Sequence, residues 1–132
     1  MKQKIKIDKE KAKSLQIMAN ISLKRLNQTE KQKYPPNTVN DYYGIIHKLC
    51  ESLSLINEIK FREEGAHKEL IDFIMQKYNF SYQNKLFLQE MRELRNRISY
   101  EGFQIHKNYI KLNQKQITEI IDRLIKLNQK VI

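Results

Sequence analysis

The sequence predicts an all-α protein: an up-and-down bundle of about five helices forming a single domain over residues 1–132. The chain holds only three Gly and two Pro, and 40% of its residues are hydrophobic against 30% charged, a balance typical of helix-rich globular chains. Apolar residues recur at steps of three and four positions in several segments, which is helical periodicity. A chain of 132 residues can bury one sizeable core, and a second domain is not expected.

A first helix is predicted over residues 8–28, with Asp8 as its N-cap and a basic outer face. Residues 29–37 are expected to interrupt it, because Pro35 and Pro36 cannot continue a helix. The predicted inward stripe consists of Ala12, Leu15, Met18, Ala19, Ser22 and Leu26.

A second helix is expected over residues 38–59, because Thr38 followed by Asp41 resembles a capping box. Residues 60–65 form a short polar link, and a shorter third helix covers residues 66–77. The core face of the second helix is predicted to be Tyr42, Ile45, Ile46, Leu49, Leu53 and Ile56, and that of the third Ala66, Leu70, Phe73 and Ile74.

The stretch from Gln89 to Gly102 is predicted to be the C-terminal part of a central core helix, capped by Ser81 after a turn at residues 78–81. Gly102 favours the left-handed conformation that follows many helix ends. The expected core stripe of this helix is Phe87, Met91, Leu94 and Ile98.

Residues 103–112 have mixed apolar spacing and are expected to be an extended loop. Asn113 with Gln116 repeats the capping pattern and predicts a last amphipathic helix over residues 113–131. Its apolar face is Ile117, Ile120, Ile121, Leu124, Ile125 and Val131.

Charge is the strongest compositional signal: the net charge is +10, and ten basic residues face three acidic ones up to Lys33. An anionic partner such as nucleic acid or an acidic protein surface is one reading, and a solvated lysine-rich face is the other. The single cysteine excludes an internal disulfide and fits a reducing compartment. No apolar run approaches a membrane span, and no apolar block follows the charged opening of a secretory signal, so a cytoplasmic location without membrane association is expected.

The central stretch carries a recognisable motif. Arg95-Asn96 is followed by Tyr100, with four residues between Arg95 and Tyr100. This pattern resembles the HEPN superfamily of helical-bundle proteins, in which four to six residues, usually beginning with a polar one such as Asn, separate an Arg from a His. Here Tyr100 occupies the place of that His. Residues 41–47, which are rich in Tyr, and residues 65–68 resemble the starts of two further helices of the family.

The resemblance implies a metal-independent ribonuclease site at a two-fold homodimer interface, formed by Arg95, Asn96 and Tyr100. It further implies RNA as a partner, no metal or other cofactor, and a toxin–antitoxin or defence role, often beside a small nucleotidyltransferase. Because an unperturbed Tyr has a pKa of about 10, it is a poor general base at neutral pH. Cleavage of RNA and binding of RNA without turnover therefore both remain open.

A guanidinium suits a phosphate because its planar donors and permanent charge match phosphate oxygens, so Arg95 is the first candidate and Asn96 orients the same group. Arg92, Arg97 and Ser99 are the predicted substrate contacts. The alternative is that the three arginines form ordinary surface ion pairs with Glu90, Glu93 and Glu101.

Helix geometry limits how such a site is built. On a regular helix Tyr100 lies roughly 140° around the axis from Arg95, so either the helix ends before Tyr100 or the two residues meet across a dimer. The remaining candidates favour structural roles: Cys50 as a buried thiol, and His67 as a cap or packing residue. His47 and Cys50 alone provide too few ligands for zinc. A different class of function, a non-catalytic helical adaptor that binds protein, fits the same bundle.

Overall fold

A computed structural model describes the backbone of residues 1–131 and the side chains of residues 1–130, so the predicted core role of Val131 lies outside the described residues. Within that range the chain forms five α-helices and one small two-stranded sheet, which confirms the all-α class. The elements are β1 (Lys2–Lys4), α1 (Lys9–Leu26), α2 (Pro35–Ile56), β2 (Ile59–Phe61), α3 (Ala66–Lys77), α4 (Tyr82–Glu101) and α5 (Tyr109–Val131). None of these helices combines the length and apolar character that a bilayer crossing requires.

The ends of α1 and α4 follow from local chemistry and confirm the expected caps. The Asp8 side chain accepts a hydrogen bond from the Lys11 amide at 2.9 Å, and Ser81 accepts one from the Asn84 amide at 3.1 Å, so each satisfies a free amide of the first turn. Gly102 ends α4 in the left-handed conformation, with φ of 64°.

The expected start of α2 at Thr38 is wrong, because the helix begins at Pro35. A proline in the first turn lacks an amide that would have no helical partner there, and its fixed φ suits the helix. The two prolines therefore start a helix as well as ending the loop before it. Thr38 lies inside α2, where its hydroxyl donates to the Lys31 carbonyl at 2.6 Å and ties the loop to the helix.

The expected start of α5 at Asn113 is also wrong, since α5 begins one turn earlier at Tyr109. The Asn113 amide group donates back to the Tyr109 carbonyl at 2.8 Å, which is a contact within the helix. The Gln116 side-chain amide donates to the Asn84 side-chain oxygen of α4 at 3.1 Å. Neither residue of the expected capping pair therefore caps the helix.

The sheet was not predicted. β1 pairs antiparallel with β2, with Gln3 opposite Lys60, inside the segment expected to be a polar link. Strands of three residues in charged sequence carry little periodic signal, and their pairing depends on residues far apart in the chain.

The core is built around α2, which contacts each of the other four helices. Its buried side chains include Tyr42, Ile45, Ile46, Leu49 and Leu53, as its predicted face requires. The predicted core stripe of α4 is less buried than expected: Met91 is buried, whereas Phe87, Leu94 and Ile98 are only partly buried. On α1, Met18 is exposed and not part of the inward stripe.

A matched pair of substitutions tests this ranking of the helices. Leu53 is fully buried, so Leu53→Ala should lower the free energy of unfolding by about 3 kcal/mol, through lost burial and a cavity. Leu94→Ala deletes the same atoms from a partly buried place and should cost about 1 kcal/mol. Urea denaturation of both variants measures the difference, and an equal or larger cost at Leu94 would contradict the central position of α2.

Candidate functional site

A largely polar stripe on helix α2 forms one wall of a groove. Asn40, Gly44, His47 and Glu51 follow each other at steps of three and four residues, which places them on one helix face. The groove has a volume of about 380 Å³, and we call it the Arg95 groove. Its lining residues are Asn40, Tyr43, Gly44, His47 and Lys48 of α2, His67 of α3, and Arg95 and Ser99 of α4.

Arg95 lies half-buried in this groove. Its guanidinium carbon is 5.7 Å from the centre of the Tyr43 ring, which is within the range of a cation–π contact. One guanidinium nitrogen donates to the Asn96 side-chain oxygen at 3.3 Å. Among the side chains of residues 1–130, no carboxylate oxygen lies within 4.0 Å of Arg95.

The other two arginines of α4 are already paired. Arg92 lies 3.6 Å from a Glu93 oxygen, and Arg97 lies 3.8 Å from Glu101 while stacking 3.8 Å above the Phe103 ring. The alternative of ordinary surface ion pairs therefore describes Arg92 and Arg97, and does not describe Arg95.

Two buried polar atoms of the groove wall have no hydrogen-bond partner among the described residues: the Tyr43 hydroxyl and the Asn40 side-chain oxygen. Tyr43 is only 2% exposed, and burial raises the pKa of its hydroxyl to about 12. The hydroxyl therefore keeps its proton at neutral pH and can donate it. An unpaired buried polar group is costly, and neither atom can be reached from the groove unless the wall moves.

The structure brings together two histidines that are 20 positions apart. The ring centres of His47 and His67 are 4.2 Å apart, with 37° between the ring planes. His67 is exposed at the mouth of the groove, whereas His47 is largely covered. Sequence reasoning treated His67 as a cap or packing residue and did not connect it to His47 or to Arg95.

Both imidazoles are held in the neutral state. Burial, together with His67, Lys48 and Arg95, lowers the pKa of His47 to about 4. Burial and then Arg95 lower the pKa of His67 below its ordinary value, and Glu51 opposes this in part. The contact of 3.8 Å between His47 and Glu51 is therefore not an ion pair at neutral pH.

Tyr100 does not join this groove within one chain. The helix α4 continues to Glu101, which excludes the alternative in which it ends before Tyr100, and the Tyr100 side chain is 82% exposed. Its predicted catalytic role therefore requires a second chain. Ser99, one turn after Arg95, does line the groove.

A second cavity, of about 290 Å³, continues the Arg95 groove along α2. The two share Asn40, Gly44 and Lys48 in their walls, and the second adds Arg25 from α1. One carboxylate, that of Asp41, also lines the second cavity, so cationic side chains outnumber acidic ones along the connected depression. This balance suits an anion better than a neutral molecule.

The remaining candidates have structural explanations. Cys50 is completely buried, and burial raises the pKa of its thiol to about 12, so the thiol is protonated and unreactive. Among the described side chains, no group of three or more His, Cys, Asp or Glu is arranged to hold a metal ion.

Comparisons with protein-family models, with curated proteins and with solved structures each give no match to the chain. The groove is therefore interpreted from its own chemistry. The sequence signal that could have revealed it is the polar stripe on α2, because a row of polar residues on a buried helix needs polar neighbours.

The state of His47 predicts a pH dependence of stability. Its folded pKa of about 4 lies below the ordinary value near 6.5, so the unfolded chain binds the proton more tightly. Stability should fall as the pH falls through the range between these values, by about 2 kcal/mol from pH 7 to pH 5.

Urea denaturation of the wild type and of His47→Gln measures this effect. The variant should lose most of the change between pH 7 and pH 5, because Gln does not titrate. His106→Gln, which removes an exposed imidazole, serves as the control. A wild-type stability that is constant over this range would contradict a buried neutral His47.

Proposed function

We propose that this protein is a HEPN-like RNA-binding protein that holds the RNA backbone in the Arg95 groove. The observation that carries the proposal is the Arg95 guanidinium, which is half-buried and without a carboxylate partner among the described residues. A charge in that position lacks the compensation that Arg92 and Arg97 have, and a phosphate would supply it with bidentate hydrogen bonds.

Two further features support an RNA ligand. Lys48 and Arg25 line the connected depression, where they outnumber the one carboxylate that also lines it, that of Asp41. The net charge of +10 favours association with a polyanion at low ionic strength.

The HEPN resemblance adds context to the proposal. It implies a site formed by Arg95, Asn96 and Tyr100 at a homodimer interface, and we propose Arg92, Arg97 and Ser99 as further substrate contacts beside it. It also suggests a cytoplasmic toxin or defence role beside a small nucleotidyltransferase. Pairing Arg95 of one chain with Tyr100 of another requires an isologous interface that includes α4.

Substitution of Arg95 tests the proposal. Arg95→Ala should weaken binding of an unstructured RNA oligonucleotide by about tenfold, because a hydrogen bond between charged groups contributes about 1.5–3 kcal/mol. It should also reduce the slope of log affinity against log salt by about 0.7 for the lost phosphate contact. Fluorescence anisotropy at several salt concentrations measures both quantities.

Arg123→Ala is the matched control, because it removes the same charge from an exposed place on α5 that stacks on Phe80. An equal loss of RNA affinity in both variants would show that the loss comes from the change in net charge, and would contradict a role for the groove. Absence of RNA binding by the wild type at low salt would contradict the proposal as a whole.

The second candidate is a non-catalytic helical adaptor. The observation that favours it is an apolar ridge on the outer face of α1, where Ile17, Met18 and Ile21 are each at least half exposed. Exposed apolar residues grouped on one helix face often mark a protein contact.

An adaptor that self-associates through this ridge should be a dimer in solution, and Ile21→Glu should convert it into a monomer by placing a charge within the contact. Light scattering at several concentrations measures the mass of both proteins. A dimer that is unaffected by Ile21→Glu would exclude the ridge as the interface and leave the surface around α4.

A further inference from the structure

We propose that His67 is the general base of an RNA-cleavage reaction in the Arg95 groove, and that His47 positions its ring. The inference rests on the proposed function, since it requires an RNA strand in the groove. It places the base on α3, and not at Tyr100, which occupies the motif position on α4 and is directed away from the groove of its own chain.

The local backbone brings His67 to the groove. Gly65 adopts φ of 83° immediately before α3, a conformation that glycine reaches without steric cost. This turn starts the helix so that His67 lies in its first turn, against α2. The His67 ring centre is 4.2 Å from that of His47 and 6.4 Å from that of Tyr43. The three rings form one continuous wall facing the Arg95 side of the groove.

The two histidines have different roles: His47 positions the neighbouring ring, and His67 transfers the proton. Both rings line the groove and a neighbouring cavity that Glu51 and Lys60 also line, but His47 is the more covered of the two and packs against the His67 ring. His67 is exposed at the groove mouth, where a ribose hydroxyl of a bound strand would come within reach. A base must reach the proton that it removes, and of the two rings only His67 is open to a strand.

The charges around His67 keep its ring unprotonated. Arg95 and Arg92 face it from α4, and both lower its pKa, while Glu51 of α2 raises it. His47 and Lys48 line α2 beside it, Lys60 lies on β2, and Lys68 and Glu69 are its neighbours on α3. Burial adds to the lowering, so the ring is neutral at pH 7, as a base must be.

The proposed step is an internal transesterification. His67 removes the proton from a ribose 2′-hydroxyl, and the 2′-oxygen attacks the adjacent phosphorus. The bond from phosphorus to the 5′-oxygen breaks, and that oxygen takes a proton from solvent water. The products are a 2′,3′-cyclic phosphate and a 5′-hydroxyl end, and His67 then releases its proton to solvent.

The remaining groove residues suit the charge that develops in this step. Arg95 can donate to the non-bridging phosphate oxygens, whose negative charge grows as the bond to the 2′-oxygen forms. The Tyr43 hydroxyl is buried within the wall and does not reach these oxygens. Arg95 lines the same groove as the histidine pair.

The test measures cleavage and binding separately on one unstructured RNA oligonucleotide in EDTA, with wild type, His67→Gln, Tyr100→Phe and the control His106→Gln. His67→Gln should reduce the cleavage rate by about 100-fold or more, the usual contribution of a general base, and leave RNA affinity within about threefold. His106→Gln should cleave like the wild type, and Tyr100→Phe compares the motif position with His67 on the same substrate. The wild-type rate should fall with decreasing pH only below the ordinary histidine value near 6.5.

The outcomes separate this inference from the proposed function. If His67→Gln cleaves at the wild-type rate, if only Tyr100→Phe loses cleavage, or if wild type binds RNA without cleaving it, His67 is not the base and RNA binding stands. If wild type does not bind RNA, the proposed function falls together with the inference. An oligonucleotide with 2′-deoxyribose throughout should bind and remain intact, and its cleavage would contradict attack by the 2′-oxygen.

Discussion

The burial of α2 is the constraint on which the rest of the structure depends. All four other helices contact it, and a helix surrounded in this way is expected to be apolar on every side. It nevertheless carries polar residues, among them the stripe from Asn40 through His47 to Glu51. Polar groups in such a place need polar neighbours or access to water. The structure provides both, since α3 and α4 place His67 and Arg95 opposite the stripe and leave the Arg95 groove open between them.

The electrostatic state of the groove follows from this arrangement. Burial and cationic neighbours keep both histidines neutral, and the groove retains the charge of Arg95 without a carboxylate partner among the described side chains. Burying an unpaired charge fully would cost several kcal/mol, and the opening of the groove to solvent reduces that cost. A bound phosphate would replace solvent as the compensating partner. Neutral imidazoles and a permanently charged guanidinium therefore line the same groove.

Local patterns predicted the features that depend on neighbours in sequence. The caps at Asp8, Ser81 and Gly102 were foreseen because each acts within one turn of its own helix. Pro35 was misread because a proline can interrupt a helix or begin one. The motif identified Arg95 from its own segment. The proximity of His47 and His67 could not be foreseen, because it depends on the angle at which α3 leaves Gly65 and packs against α2, and no short segment contains that information.

The most direct test is to titrate the histidine rings by NMR in the wild type and in Arg95→Ala, with the His106 signal assigned by His106→Gln. We expect the pKa values of His47 and His67 both to lie below 6.5, with that of His47 near 4. Both pKa values should rise when Arg95 is removed, because its charge opposes protonation of the rings. Titration of both rings near the ordinary value of about 6.5, unchanged by Arg95→Ala, would show that the guanidinium and the two imidazoles do not share a groove.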